Sequence, residues 1–123
     1  MKNKKIKSFT DLYAWQKGHK LVLMIYRTTE NFPKRENFGL VSQMRRCVVS
    51  IVSNIAEGFS RNTNKDKCQF YCVAQGSLTK LQNQLLMARD IGYLEEAKFQ
   101  KIVEQTIIVN KLLNGLKRFK NKR

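Results

Sequence analysis

The chain has 123 residues, enough for one hydrophobic core and too few for two, so a single domain over 1–123 is expected. Twenty-four Lys and Arg stand against nine Asp and Glu, a formal charge of +15. A surplus of that size favours a polyanionic partner, nucleic acid before an acidic membrane surface, and otherwise serves solubility.

The start, "MKNKKIKSFTDL", is basic, but no apolar stretch of signal-peptide length follows it. "LVLMIY" (21–26) is too short to span a bilayer, which needs about 20 apolar residues. A cytoplasmic protein with no membrane partner is the expectation. Cys47, Cys68 and Cys72 are odd in number and lack paired spacing, which fits reduced thiols. Cys68 and Cys72 could share a helix face with His19 as a third ligand. A structural zinc site needs a fourth donor and usually a tighter knuckle, so no metal and no cofactor are expected.

Residues 1–8 read as a basic arm. A first helix follows, with Ser8, Thr10 and Asp11 as capping chemistry and Leu12, Trp15, His19, Val22 and Tyr26 as its 3,4-spaced seam. Asn31-Phe32-Pro33 ends it. A second helix is expected from Phe38 to Glu57, with Leu40, Met44, Val48, Ile51 and Ile55 inward and Gly58 as its C-cap. "SRNTNKDK" (60–67) reads as a polar loop. A third helix to Ile91 buries Phe70, Ala74, Leu78, Leu81, Leu85 and Ala88, and Gly92 closes it. A fourth opens at "YLEEAKF", with Glu95 and Glu96 at the positive end of its dipole. It buries Phe99, Ile102, Thr106, Val109, Leu113 and Leu116, and 117–123 reads as a fraying basic tail. Nothing reads as a strand. The expected fold is all-α, an antiparallel up-down four-helix bundle.

The second helix holds ten consecutive uncharged residues, "CVVSIVSNIA" (47–56). On a helical wheel Val41, Val49, Val52 and Ala56 fall outside its core arc, while Gln43, Arg46, Ser50, Ser53, Asn54 and Glu57 form a polar stripe. That stripe reads as mutually satisfied polar groups or as a site. Leu21, Met24 and Ile25 lie off the first helix's seam, and Ile108, Leu112 and Phe119 off the fourth's. Second apolar stripes mark subunit contacts, so a homo-oligomer is expected through Leu21, Met24, Ile25, Val49, Val52, Ala56, Ile108 and Leu112.

The words "FTDLYAWQKGHKL", "FPKRENFGLVSQMRRCVVSIVSNIAEG", "FYCVAQGSL" and "ARDIGYL" run in order over most of the chain. In them the sequence resembles the four-helix-bundle proteins encoded within intervening sequences of bacterial 23S ribosomal RNA genes. The resemblance implies a four-helix bundle that assembles as a ring, a homopentamer. A branch similar in fold, the accessory variability determinant of diversity-generating retroelements, binds nucleic acid and a reverse transcriptase as a basic pentamer. The resemblance therefore points to nucleic acid, and to a reverse transcriptase or the ribosome, as partners. The family usually carries acids after GSL, of the form GSL-x-E-L-E. Here Lys80 and Gln82 stand in their places, which moves the chain towards nucleic-acid handling.

The expected function is an oligomeric, non-enzymatic nucleic-acid-binding accessory protein. Its phosphate contacts are expected from the helix faces (Lys17, Lys20, Arg27, Arg45, Arg46, Lys80, Arg89, Lys111), the loop (Arg61, Lys65) and the tail (Lys117, Arg118). The basic residues are spread over many segments without a helix-turn-helix, zinc-finger or RNA-recognition signature, so phosphate contact is expected over base reading. A nuclease needs clustered carboxylates for its metal ions, and the acids here are dispersed. The competing expectation is a protein scaffold whose charge serves solubility or an acidic partner.

Overall fold

Four residues set the start of the second helix in the computed structural model, which describes residues 5–121 and the side chains of 5–118. Glu36, in a 3-10 turn after Pro33, accepts from the Leu40 N–H through Oε1 (3.1 Å) and from the Tyr93 hydroxyl through Oε2 (2.8 Å). One carboxylate thereby caps a helix and ties it to the far connection. The cap bond first, then the tyrosine bond, hold the Glu36 carboxyl below its ordinary pKa. Gly39 leaves room for this: a Cβ there would come 2.8 Å from Glu36 Oε1.

Among the described residues the chain forms four α-helices: α1 (Tyr13–Thr29), α2 (Leu40–Phe59), α3 (Asn64–Ile91) and α4 (Glu96–Asn121). Of the residues expected to cap the first helix, Ser8 and Asp11 form a capping box around a 3-10 turn at Phe9–Asp11, and α1 starts without a side-chain cap. Thr63 Oγ1 accepts from the Asp66 N–H (3.1 Å) and starts α3 within the stretch expected to be a loop, leaving only residues 60–63 as the connection. Gly92 closes α3 at φ +100°, with the N–H groups of Gly92 and Tyr93 both donating to the Ala88 carbonyl. α4 runs on to Asn121, so the expected break at 117 does not occur. Residues 1–4 of the basic arm, 122–123 of the tail and the Phe119 side chain lie outside what is described.

Contacts between helices run in opposite sequence directions. Gly18 meets Val52 while Thr29 meets Arg45, Ser50 meets Ser77 while Gly58 meets Tyr71, and Gln75 meets Asn114 while Gln82 meets Thr106. Gln105 Nε2 donates to the Lys17 carbonyl (2.9 Å) and joins α4 back to α1. Each helix packs on its two neighbours in the cycle α1–α2–α3–α4, and among the described residues the backbones of the diagonal pairs stay further apart. This is an antiparallel up-down bundle. No helix among the described residues is long and apolar enough to cross a membrane.

The expected inward faces of α2 and α4 are buried from Leu40 to Ile55 and from Phe99 to Leu113, with Leu116 half-buried. On α3, Tyr71 takes the place expected for Phe70; burial pushes its phenol up to about 12. α1 departs most. Its buried residues are Ala14, Gly18, Leu21, Ile25 and Thr29, while His19 and Tyr26 of the expected seam are exposed and Leu12, Trp15 and Val22 are half-buried. The helix is turned by about one residue, 100°, from the expected orientation. A Cβ on Gly18 would come 2.8 Å from Val52 Cγ1, so α1 lies close on α2 through small residues. Trp15 instead covers the flank, stacked on His19 at 4.9 Å and met edge-on by Phe9.

Two expected subunit-contact residues are therefore core residues. Leu21 and Ile25 are 0% exposed and have no surface to offer a partner. Val41, placed off the core arc of α2 by its wheel, is buried too. Gly58 is likewise not a cap. It sits inside α2, where a Cβ would come 2.7 Å from Tyr71 Cε1, and Ser60 caps the helix instead.

Candidate nucleic-acid interface

Several cations expected at phosphate are engaged within the fold. Arg45 donates from Nε to Thr29 Oγ1 (2.9 Å) and from Nη2 to the Tyr26 carbonyl (3.1 Å), with its guanidinium 4.5 Å from the Tyr26 ring centre. Thr29 Oγ1 donates in turn to the Ile25 carbonyl (2.7 Å). A cation at the carbonyl end of α1 is well placed for the helix dipole, so Arg45 clamps α1 to α2. Arg61 pairs with Glu57 at 2.9 Å and lies over Phe70; Arg89 pairs with Asp90 at 3.0 Å and lies over Phe99. Exposed pairs of this kind stabilise by less than about 1 kcal/mol. Lys117 Nζ donates to Gln75 Oε1 (2.6 Å), and the Gln75 amide donates to Asn110 and Asn114.

The remaining expected cations, Lys17, Lys20, Arg27, Arg46, Lys65, Lys80, Lys111 and Arg118, are exposed or nearly so, and their side chains make no hydrogen bond or ion pair with another described residue. The fold gathers some of them. Lys17 and Lys111 border a groove of about 500 Å³ between α1 and α4, floored by Tyr13, Ile108 and Leu112. Arg46 and Lys80 border a notch of about 250 Å³ between α2 and α3. Its wall is part of the polar stripe: Ser50 Oγ and Ser77 Oγ share a hydrogen bond of 2.9 Å, and Asn54 Nδ2 donates to the Ser50 carbonyl (2.8 Å). Cys47 Sγ donates to the Ser77 carbonyl (2.9 Å), and burial pushes its thiol pKa up despite the opposing charge of Lys80. Lys20, Arg27, Lys65 and Arg118 border none of these hollows.

Arg46 also borders a second groove, of about 560 Å³, with Tyr26, Phe38 and Val49. Phe38 was expected to open the second helix; it stands before it, 99% exposed. Its place outside any 3,4 seam and before Gly39 was the only sequence signal for it.

Of the apolar residues expected between subunits, Val49 (39%) and Ile108 (41%) keep substantial exposure. Met24 and Leu112 pack half-buried against the core, Ala56 is half-buried, and Val52 is partly covered by its contact with α1 at Gly18. Val49 and Ile108 border grooves on opposite sides of α1. Cys47, Cys68 and Cys72 form no disulfide, and no group of three or more potential metal ligands occurs among the described residues.

A family model described as 23S rRNA-intervening sequence protein matches residues 10–115. Among solved structures, the fold is similar to a crystal structure of a protein of unknown function from the S23 ribosomal protein family of Bacteroides thetaiotaomicron VPI-5482. The TM-score is 0.78 at 18% identity, covering 85% of this chain and 95% of that one, which speaks for a shared fold alone. Comparison with curated protein sequences gives no match.

Proposed function

The chain belongs to the 23S rRNA-intervening sequence protein family, and from that premise we propose that it acts as an oligomeric, non-enzymatic nucleic-acid-binding accessory protein. The observation that carries this reading is the set of cations left unanswered by the fold. Arg46 and Lys80 stand together beside a notch whose lining holds no anion, and Lys20, Arg27, Lys65 and Arg118 are exposed, on a chain of charge +15. Such cations hold loosely bound counterions, and a phosphate backbone gains affinity by releasing its own on meeting them. Their dispersal over several faces supports phosphate contact with little sequence preference. A reverse transcriptase or ribosomal RNA remains the partner system this family resemblance suggests.

The assembly half of the proposal rests on the α1–α4 groove, whose floor of Tyr13, Ile108 and Leu112 is almost wholly apolar. We place the subunit contact there, in a ring that the resemblance makes a pentamer. Ile108→Glu is expected to give folded monomers by light scattering, since a carboxylate buried in such a contact lacks a partner. An unchanged oligomer mass would move the contact elsewhere. The nucleic-acid half is tested by equilibrium binding of labelled RNA and DNA over a salt series.

A further inference from the structure

Phe38 is the most exposed large apolar side chain among the described residues. Its backbone is braced all the same, because the bond from the Leu40 N–H to Glu36 spans it and Tyr93 anchors the same carboxylate. The ring thus stands exposed on a braced corner. Beside it lie Asn37, Ser42 and Arg46, and Arg46 continues into the notch where Lys80 faces the Ser50–Ser77 hydroxyl pair. One unpaired guanidinium therefore joins an aromatic shelf to a small polar hollow bordered by a second unpaired cation.

Exposed aromatic rings next to a cationic track are what single strands use, since an unpaired base offers a free face and a duplex does not. We infer that the surface from Phe38 through Arg46 to Lys80 binds single-stranded nucleic acid. An unpaired base stacks on Phe38, and a phosphate of the same strand sits between Arg46 and Lys80 against the Ser50 and Ser77 hydroxyls. This site rests on the nucleic-acid reading above and adds to it a location and a preference for unpaired strands. A second copy of the chain is the weaker occupant. The centres of subunit contacts are depleted of charged residues, whereas here two cations and several polar groups surround a single ring.

The experiment measures fluorescence anisotropy of the full chain with a labelled 15-nucleotide oligouridine and with a 15-base-pair RNA duplex. Phe38→Ala is expected to weaken single-strand binding about tenfold and duplex binding less than twofold, with Phe38→Trp restoring the loss. Arg46→Gln combined with Lys80→Gln is expected to reduce the single-strand salt slope by about 0.7, the share of one phosphate. Circular dichroism melting is expected to be unchanged for Phe38→Ala, because the ring contacts so little of the fold. Equal loss on both probes, no loss on either, or a change of native mass in Phe38→Ala would overturn the site while leaving the wider reading in place. Wild-type protein that binds neither probe would remove the wider reading and this site with it.

Discussion

Gly58→Ala is expected to destabilise the protein by up to about 2 kcal/mol, although alanine is the better helix former by about 1 kcal/mol. The local gain is outweighed at the crossing of α2 and α3. A Cβ at 58 would come 2.7 Å from Tyr71 Cε1 and 3.1 Å from Phe70 Cβ. Tyr71 is almost wholly buried and Phe70 Cβ is tied to the backbone, so neither can step aside without opening the helix pair. Overpacking of this kind costs about 1–3 kcal/mol. The urea midpoint, taken at one protein concentration for both forms, reads the effect. An alanine form more stable than the wild type would mean that α2 and α3 separate easily at this point.

A larger loss is expected from Leu21→Ala, about 3 kcal/mol, from lost burial and the cavity left in a close-packed core. Leu21 and Ile25 are fully enclosed by the bundle. The variant is therefore expected to melt earlier while its native mass stays that of the wild type. A folded monomer with undiminished stability would instead return Leu21 to the subunit contact where its wheel position had put it.

The error over Leu21 shows what hydrophobic pattern can convey. In α2 and α4 the inward positions carry large aliphatics at 3,4 spacing, and reading them placed the core correctly from Leu40 to Ile55 and from Phe99 to Leu113. In α1 the inward positions include Ala14 and Gly18, small because α2 approaches closely there, and small residues leave little hydrophobic signal. Trp15 and Tyr26 then drew the seam onto the wrong side. Gly58 misled for the same reason: a glycine that permits close packing and one that ends a helix look alike in sequence, whereas Gly92 ends α3 at φ +100°.

The site was legible as residue types and not as partners. Arg45 and Arg46 are adjacent and chemically identical, yet Arg45 is held by Tyr26 and Thr29 across a helix interface and Arg46 is left outward. That division depends on the rotation of α1, which the pattern misplaced. Lys80 and the Ser50–Ser77 pair come together only because α2 and α3 run antiparallel in one register. Phe38 owes its exposure to the turn closed by Glu36 and Gly39, contacts that no periodicity encodes.

The claim that phosphate is the natural counterpart of the unanswered cations is tested most directly by binding of the purified protein to labelled RNA and DNA over a salt series. Four or more phosphate contacts per strand give a slope of log K against log salt of about −3 or steeper on single strands, with affinity retained near physiological ionic strength. A flat slope, or binding that has vanished by that ionic strength, would contradict the account and leave the +15 charge to solubility or to an acidic protein partner.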